Sequence, residues 1–400
     1  MPKVNPEIES FARIVVVGIG GSGKNAVNHM INSKVKGVSF IAMNTDTQDL
    51  HHSLAEKKIH IGKNMTKGLG AGMDPEVGKR AAEETKAEIQ DVIKGADMLF
   101  ITCGMGGGTG TGAAPIVAKI AREQGILTVA VITKPFFFEG TQRMRIAETG
   151  VEELSKEVDA IIIIPNDKLL ELSDENKNFK DAFADCDNVL RQAVEGISDL
   201  ITMPGIINVD FADIKSIMSN AGSALMGIGT AGGEKRAEKA AVQAINSPLL
   251  EVAINGAKGV LFAISGGDDI TIHEIKEAAK IITESIDKDA KVIFGTIRDE
   301  KTKKGEIKIT VIATNFANDI PRKNLFSNSS TSNHIILKEE NGTSAKKEIH
   351  NSIQNGKEKP DEFVAPIKKA EKKIEQEEII IEDDTDEWSA VPAFLRRNKK

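Results

Sequence analysis

The chain has 400 residues, enough for two or more domains with a large hydrophobic core. Its net charge of −7 excludes the basic surface typical of nucleic-acid-binding proteins, so we expect no nucleic-acid partner. No apolar run is long enough to cross a bilayer, and residues 1–10 are polar with two prolines. We therefore expect no signal peptide and no membrane insertion, and we predict a cytoplasmic protein.

Cysteine and histidine usage gives no sign of a metal site. The two cysteines, Cys103 and Cys186, fit neither a disulfide framework nor a zinc site, and we expect both to be small buried residues. The seven histidines lack ligand spacing, and the adjacent His51 and His52 are expected to be exposed. We therefore predict no metal ion held by protein side chains.

The first predicted strand, Phe11–Val17, leads into a glycine-rich loop, Gly18–Asn25, and then into a helix over Ala26–Ile31. A glycine loop between a strand and a helix is an arrangement that binds phosphate, because the backbone N–H groups at the start of the helix point at the anion. The sequence thus predicts a first phosphate loop.

This first loop fits two known patterns. It matches the dinucleotide fingerprint, with Asp46 after the next predicted strand, Val38–Met43, as the ribose ligand. It also nearly matches the P-loop, except that Asn25 stands where a Ser or Thr hydroxyl would bind magnesium. Because both patterns fit, the loop alone does not identify the nucleotide.

A second glycine-rich segment, Gly62–Pro75, is too long for a simple connection and precedes a predicted helix over Glu76–Lys94. Loops of this kind often close over a ligand. We interpret the segment as a lid, with a mobile surface loop as the alternative.

The third glycine-rich segment, Cys103–Gly112, has six glycines in nine positions, a density that packing does not explain, so we predict a loop throughout. It follows a predicted buried strand, Asp97–Thr102, and precedes a helix, Ala113–Arg122, with Pro115 in the first turn. These features favour a phosphate site over a flexible linker. Since a dinucleotide fold needs one phosphate loop, two such loops predict a ligand with a longer phosphate chain.

Alternation of strands and helices continues through strand Ile126–Thr133, helix Thr141–Glu157 and strand Ala160–Ile164. Repeated βα units predict a parallel sheet with ligands at the carboxyl ends of its strands. The segments Pro135–Gly140 and Pro165–Asp167 fall at that edge. The three consecutive phenylalanines in the first of these segments are predicted to be core residues.

A long helix is predicted over Lys177–Met203, about 35 Å in length at 1.5 Å per residue. After it comes an acidic segment, Asn208–Asp213, which opens another helix. We interpret Asp213 as the N-cap of that helix and Asp210 as a carboxylate with a separate, functional role.

A second α/β unit follows, and its last two strands are predicted to form a hairpin around Lys301–Gly305. We expect a smaller domain with a mixed sheet. Its predicted helices are Glu234–Ile245 and Ile272–Ser285, and its predicted strands are Gly259–Ile264, Lys291–Ile297 and Glu306–Thr314.

Beyond this unit the chain is polar and without periodicity, which predicts a disordered linker. The last residues, Asp383–Arg397, restore large apolar side chains between charged blocks. We interpret them as a peptide that binds a groove on a partner, with a plain charged tail as the alternative.

Gly106–Gly112 matches the tubulin-type signature, and together with Asn208–Asp213 it makes the chain resemble the FtsZ family, in particular its bacterial members. The resemblance runs from about Phe11 to Phe316 and resumes in the last residues. It implies a tubulin-like α/β fold and a cytoskeletal GTPase that polymerises head to tail into protofilaments. Such filaments form the division ring at midcell and bind division proteins and membrane tethers through the terminal peptide.

The resemblance implies a division of the chain into a disordered segment (1–10), a GTP-binding domain (11–176), a central helix (177–203), a C-terminal GTPase-activating domain (204–318), a disordered linker (319–382) and a partner-binding peptide (383–400). Within the family pattern the partner-binding residues are Trp388, Pro392, Phe394, Leu395 and Arg396.

The same resemblance implies site residues for GTP or GDP with Mg²⁺, and K⁺ as a further candidate ion. In this pattern Glu139 and Arg143 reach ribose and phosphate, and Asn166, Phe183 and Asp187 hold the base. The catalytic residues are Asp210, Asp213 and Asn208. The GTP-binding residues are Gly20, Gly21, Ser22, Asn25, Asn44, Asp46, Gly70, Ala71, Gly72, Gly104, Met105, Gly106, Gly107, Gly108, Thr109, Gly110, Thr111, Gly112, Pro135, Glu139, Arg143, Asn166, Phe183 and Asp187.

Base chemistry also favours guanine, because its N1 and N2 donors suit a carboxylate such as Asp187 and its O6 suits an amide donor such as Asn166.

Asp210 and Asp213 are the candidates for polarising water, and their place beyond the long helix favours the γ-phosphate of a neighbouring subunit. The alternatives are a nucleotide-dependent dehydrogenase and a GTP-bound scaffold that does not hydrolyse. Lys24 and Asn315 depart from the family pattern, and their roles are open.

Overall fold

The predicted alternation of strands and helices is present in the structure, a computed structural model that describes residues 12–171, 178–247, 250, 254, 256–299, 302–303 and 305–316. The strands are β1 (Ile14–Ile19), β2 (Val38–Asn44), β3 (Lys57–His60), β4 (Met98–Gly104), β5 (Leu127–Lys134), β6 (Ala160–Pro165), β7 (Gly222–Gly232), β8 (Ala257–Gly266), β9 (Lys291–Arg298) and β10 (Glu306–Phe316).

The helices begin directly after most of these strands, as short βα connections require. They are α1 (Gly20–Asn32), α2 (Thr47–His51), α3 (Lys63–Thr66), α4 (Pro75–Glu84), α5 (Lys86–Ile93), α6 (Gly108–Glu123), α7 (Thr141–Ser155), α8 (Asn166–Glu171), α9 (Phe179–Thr202), α10 (Phe211–Met218), α11 (Arg236–Ile245) and α12 (Ile272–Glu284). A 3-10 turn covers Phe137–Glu139.

The described strands form one sheet in the order β3-β2-β1-β4-β5-β6-β7-β10-β8-β9. From β3 to β7 every pair is parallel, while β10 lies antiparallel to both β7 and β8, and β8 and β9 are parallel. The predicted parallel sheet and the smaller mixed sheet are thus both present. β7 joins them, because its first residues pair with β6 and the rest with β10.

Both faces of the parallel sheet are covered by helices. Along β1, Ile14 and Val16 belong to one hydrophobic core and Val15 and Val17 to the other. Adjacent residues of a strand point to opposite faces, so an apolar run without alternation is what a strand buried on both sides requires.

Helix α9 connects the two parts of the sheet through a buried apolar stripe. Leu190, Val194 and Ile197 lie in the same core as Val16 of β1 and Leu261 of β8. At about 1.5–3 kcal/mol for each large apolar side chain that is fully buried, this stripe is a major source of stability for the junction. The 24-residue helix is about 36 Å long, close to the predicted length.

Helix α1 begins at Gly20, not at Ala26, so the predicted first loop is the end of β1 and the first turns of this helix. Three further predicted elements are wrong in detail. Helix α6 begins at Gly108, not at Ala113, so the second half of the glycine segment is helical and Pro115 lies in the helix interior, not in its first turn. The predicted helix over 76–94 is two helices, separated at Thr85, whose hydroxyl accepts a hydrogen bond from Gly62 N–H at 3.0 Å. The start of α6 was predicted too late because its first turns are rich in glycine, which is a poor helix former.

The third error is the predicted hairpin, because β9 and β10 are not neighbours: β8 lies between them and pairs with both. A turn-like sequence between two strands cannot tell direct pairing from a crossing over one strand. β7 was missed altogether because it is rich in glycine. A Cβ added to Gly227 or Gly229 would overlap a carbonyl oxygen of α11, so these glycines allow that helix to lie directly on the strand.

Candidate nucleotide site

The two glycine loops meet at the carboxyl edge of the parallel sheet. β1 and β4 are neighbours, and the strand order reverses between them, which is where open parallel sheets bind ligands. A Cβ added to Gly104 would lie 2.8 Å from Ser22 Oγ, and one added to Gly20 would lie 3.2 Å from Gly110 N. The loops that were predicted separately therefore form one surface.

The glycines of the second loop serve two different purposes. A Cβ on Gly112 would overlap the carbonyl oxygen of Pro75, and one on Gly108 would lie 2.8 Å from Ala71 Cβ, so both allow α4 and the segment before it to pack on α6. The prediction that packing cannot explain these glycines is therefore wrong for this half. At Gly107, in contrast, a Cβ would meet nothing within 4 Å, which leaves its backbone open toward the site.

The segment predicted as a lid is hydrogen-bonded to the end of β2. Gly70 N–H donates to the carbonyl of Thr45 at 3.3 Å, and Thr47 N–H donates to the carbonyl of Gly68 at 3.1 Å. Thr45 in turn shares a hydroxyl hydrogen bond of 2.6 Å with Thr109. These contacts connect the segment with the second glycine loop through Thr45, while closure over a ligand stays a prediction.

One wall of the site comes from the segment after β5. Phe136 is buried and lies edge to face against Phe183, with ring centroids 5.1 Å apart. Phe137 and Phe138 are 73% and 47% exposed, so the prediction of a core role is right for one phenylalanine and wrong for two. Phe183 itself was predicted as a site residue, but its contact with Phe136 was not, because spacing in the sequence does not show which distant side chains meet.

Glu139 and Arg143 lie beside this wall and form an ion pair of 3.2 Å with little exposure of either side chain. Phe136 N–H donates to Glu139 Oε1 at 2.9 Å, which fixes the carboxylate. A Cβ on Gly106 would lie 2.7 Å from the carbonyl oxygen of Arg143, so the pair borders the second glycine loop. Ribose and phosphate contacts are consistent with that position.

Asn166 follows β6 directly and is 95% buried, yet its Oδ1 accepts no hydrogen bond from any described residue. A buried amide oxygen without a partner costs free energy unless a ligand or water donates to it. This orphaned atom, at the carboxyl edge of the sheet, fits a polar ligand at the place where the base is expected.

Asp187 lies one turn after Phe183 on α9. Burial raises the pKa of its carboxyl to about 7, and the positive charge of Lys24 opposes that rise. When it is ionised, this buried carboxylate can accept two hydrogen bonds from one ligand, and N1–H and N2–H of guanine are a suitable pair of donors.

Lys24 shows no P-loop geometry. Its side chain is buried, and its Nζ forms an ion pair of 2.9 Å with Oδ1 of Asp49 in α2. Asp49 also accepts from Asn44 Nδ2 at 2.9 Å, and Asn44 Oδ1 accepts from Thr45 N–H at 2.8 Å. The near match to the P-loop pattern is therefore wrong as a guide to this lysine.

The acidic segment lies beyond the other end of α9, away from the glycine loops. Asp210, not Asp213, is the N-cap of α10: its Oδ1 accepts from Asp213 N–H at 2.7 Å. The cap prediction was wrong because both residues precede the same apolar pattern. Asn208 accepts from Gly205 N–H at 2.8 Å, and all three polar side chains are exposed while Val209 between them is buried.

Both cysteines are buried, as predicted, and burial raises the pKa of the Cys103 thiol to about 12. His51 and His52 are exposed, as predicted. Within the described ranges, no three His, Cys, Asp or Glu side chains gather in a way that could hold a metal ion. None of the helices that the structure describes is long and apolar enough to cross a membrane. The terminal peptide lies outside the described residues.

Two family models match the chain. The GTPase domain of the Tubulin/FtsZ family matches residues 13–174, and the C-terminal domain of the FtsZ family matches residues 222–317. An FtsZ dimer solved without nucleotide, from M. jannaschii, is 46% identical, with a TM-score of 0.73 over 76% of this chain and 88% of that chain. The chain belongs to the FtsZ family.

More distant solved structures share the fold alone. CetZ2 from Haloferax volcanii, solved as a protofilament with GTPγS bound, is 20% identical, with a TM-score of 0.65 over 78% of this chain and 96% of that chain. FtsZ membership confirms the tubulin-like fold class, and binding of GTP and GDP is a property of the matched family domain. Membership in this GTPase family contradicts the alternative of a nucleotide-dependent dehydrogenase, although β1 to β6 have the strand order of a dinucleotide-binding fold. Since M. jannaschii is archaeal, a bacterial origin stays a prediction.

Proposed function

We propose that this chain is a GTP-hydrolysing cytoskeletal protein that polymerises head to tail, with each active site completed by the acidic segment of the next subunit. In the cell, the filaments form the cytoplasmic division ring at midcell. The observation that carries the proposal is the separation of two halves of one site: the glycine loops lie at one end of α9, and Asp210 and Asp213 lie beyond the other.

The chemistry of GTP hydrolysis needs both halves. Backbone N–H groups around Gly107 and the start of α6 bind phosphate oxygens and stabilise the charge that develops there. A bound Mg²⁺ would neutralise further charge on the phosphates. Neither loop carries a carboxylate near Gly107 that could orient the attacking water.

Asp210 and Asp213 supply that carboxylate in trans. Both side chains are exposed at the end of the molecule opposite the nucleotide, where they can face the site of a neighbouring copy. Asp187 and Thr202 are 15 helical residues apart, about 22 Å along α9, so a carboxylate beyond Thr202 is too far to act on its own subunit's phosphate. The M. jannaschii relative was solved as a dimer, which supports association between copies.

The decisive test is phosphate release from GTP as a function of protein concentration. Hydrolysis coupled to assembly predicts almost no release below a threshold concentration and a linear rise above it. A self-contained GTPase predicts a rate per molecule that does not change with concentration, which would contradict the shared site.

A mixing experiment then separates the two halves. Asp210→Asn keeps the nucleotide loops but removes a catalytic carboxylate, and Gly107→Ala/Thr109→Ala keeps the acidic segment but loses the nucleotide. Each variant alone should hydrolyse GTP poorly, while a mixture should exceed the sum of the two because some interfaces combine both intact halves. Copelleting must show that the second variant joins filaments. If it joins and the mixture stays inactive, the trans site is wrong.

The terminal peptide, residues 383–400, is proposed to bind division proteins and membrane tethers. Its aromatic and aliphatic residues, among them Trp388 and Phe394, stand within an otherwise charged segment, a composition that suits a groove on a partner protein. This part of the proposal rests on the sequence and on the family pattern.

A further inference from the structure

An ion pair beneath the nucleotide site has no place in the machinery described so far. Lys24 of α1 and Asp49 of α2 are 98% and 95% buried, and Lys24 Nζ lies 2.9 Å from Asp49 Oδ1. Each charge would be expensive to bury alone, and the ion pair offsets part of that cost. They lie 25 positions apart in the sequence and belong to different helices.

Asp49 uses its second oxygen to orient Asn44 at the end of β2. Asn44 Nδ2 donates to Asp49 Oδ2 at 2.9 Å, so the amide must turn its Oδ1 the other way. That oxygen accepts from the backbone N–H groups of Thr45 at 2.8 Å and of Asp46 at 3.3 Å. A carboxylate accepts and cannot donate, so it determines which way the amide faces.

The chain of contacts ends in the second glycine loop. Thr45, whose backbone Asn44 holds, shares a hydroxyl hydrogen bond of 2.6 Å with Thr109. Thr109 is half-buried in the first turn of α6, next to the open backbone of Gly107. Four consecutive contacts thus connect Lys24, in the helix of the first loop, with a hydroxyl of the second loop.

We propose that Asp49, paired with Lys24, is a positioning residue that fixes the Thr109 hydroxyl for the nucleotide phosphates through Asn44 and Thr45. The inference rests on the proposed function, since it assigns a nucleotide to the site. It gives Lys24 a role that neither the P-loop pattern nor an ordinary stabilising pair provides.

A stabilising ion pair and a positioning ion pair respond differently to replacement. Exchanging a buried pair for apolar side chains of similar size is often neutral for stability, so an ion pair that served stability alone could be replaced without effect on binding. If Asp49 orients Asn44, the apolar exchange must weaken nucleotide binding even in a folded protein, and restoring an acceptor at position 49 must recover it.

Two double variants make this comparison, with fluorescent mant-GTP as the probe and circular dichroism as the measure of folding. Lys24→Met/Asp49→Leu removes both charges and the acceptor for Asn44. Lys24→Met/Asp49→Asn removes both charges but keeps a side-chain oxygen that Asn44 Nδ2 can reach. Because both variants lack Lys24, the effect of its charge on Asp187 is the same in both, and the comparison between them isolates the acceptor for Asn44. We expect mant-GTP to bind about tenfold more tightly to the asparagine variant than to the leucine variant.

Thr45→Val tests the far end of the same path while it leaves the ion pair intact. It removes the hydroxyl that meets Thr109 without changing the shape of the side chain, and it should weaken mant-GTP binding about tenfold. Combined with Lys24→Met/Asp49→Leu, it should add little further loss, because both changes interrupt one path. Multiplied losses would mean that the two act independently and would overturn the proposal.

Wild-type affinity in a folded Lys24→Met/Asp49→Leu variant, or in Thr45→Val, would also overturn it. Should the leucine variant fail to fold, Thr45→Val alone decides. Failure of the proposed function is distinguishable, because in that case the wild-type protein itself would not bind mant-GTP.

Discussion

The carboxyl of Asp187 should make GTP affinity depend on pH around neutrality. Burial raises the pKa of this group to about 7 in the nucleotide-free protein. Guanine presents two N–H donors, so it binds the ionised carboxylate and not the protonated acid, which itself carries a donor. Because the pKa is raised, the binding form is the major one above pH 7 and is lost as the pH falls below it.

The magnitude follows from the fraction of Asp187 that is ionised. With a pKa of about 7, that fraction is about 0.9 at pH 8 and about 0.1 at pH 6. The apparent affinity scales with the population of the competent form, so the dissociation constant for GTP should rise about tenfold between these pH values. Between pH 8 and pH 9 it should hardly change.

The assay is equilibrium binding of mant-GTP at constant ionic strength from pH 5.5 to pH 9, with Asp187→Asn as the matched control. The control keeps the size of the side chain but cannot titrate, so any pH dependence that it retains belongs to the phosphates and other groups. It should also exchange guanine for xanthine, whose C2 carbonyl can accept from the new amide. Equal pH dependence in both proteins would refute the assignment of Asp187 to the base.

Three further predictions concern packing, a second ion pair and the tail. Gly112→Ala should destabilise the fold by about 1–3 kcal/mol, because the new Cβ would overlap the backbone of α4. Gly107→Ala should leave the melting temperature unchanged and weaken mant-GTP binding, because its Cβ would meet no protein atom. Thermal denaturation and mant-GTP titration of both variants distinguish the packing role of Gly112 from the binding role of Gly107. Arg236→Met should lower the melting temperature, because Asp269 and Glu274 lose the guanidinium that both contact; the loss should be smaller than for a fully buried pair, since the Asp269 side chain is 49% exposed. The same guanidinium lowers the pKa of Glu274 to about 2, so this pair stabilises the fold above the usual carboxyl pKa and is lost as the pH falls toward 2; denaturation from pH 5 to pH 2 should therefore show a steeper loss of stability in the wild type than in the variant. Deleting Asp383–Lys400 should leave phosphate release unchanged and abolish pull-down of tethering partners.

Local patterns predicted the parts of the fold that are encoded locally. Apolar runs without alternation identified the parallel strands, since strands covered on both faces need them. The loop predicted over Gly18–Asn25 was wrong in extent, because Gly18 and Ile19 end β1 and Gly20–Asn25 already belong to α1. The stripe of α9 was predicted because three- and four-residue spacing marks a helix with one buried face. The two glycine segments that we interpret as phosphate loops lie at the ends of β1 and β4, where the sequence predicted them, and their role stays a prediction.

Pairings between distant residues could not be predicted in the same way. Lys24 and Asp49 carry no local signal for each other, and only the crossing of α1 and α2 brings them to 2.9 Å. The position of β10 between β7 and β8 depends on how strands order themselves in the sheet, and a turn sequence does not encode that order. Glycines of α6 misled for a related reason, because their function is contact with α4 and the segment before it.

Asp210 has two roles, as the N-cap of α10 and as a proposed catalytic carboxylate, and these two roles determine how the trans mechanism can be tested. Its carboxylate caps α10 through Asp213 N–H, so a substitution that removes the cap also loosens the segment that carries both acids. Alanine would cost about 1 kcal/mol of capping energy and would displace Asp213, and lost hydrolysis would then have two causes. Asparagine caps as well as aspartate does, so Asp210→Asn holds the segment in place and removes the charge alone. The mixing experiment is therefore interpretable with asparagine at this position and ambiguous with alanine.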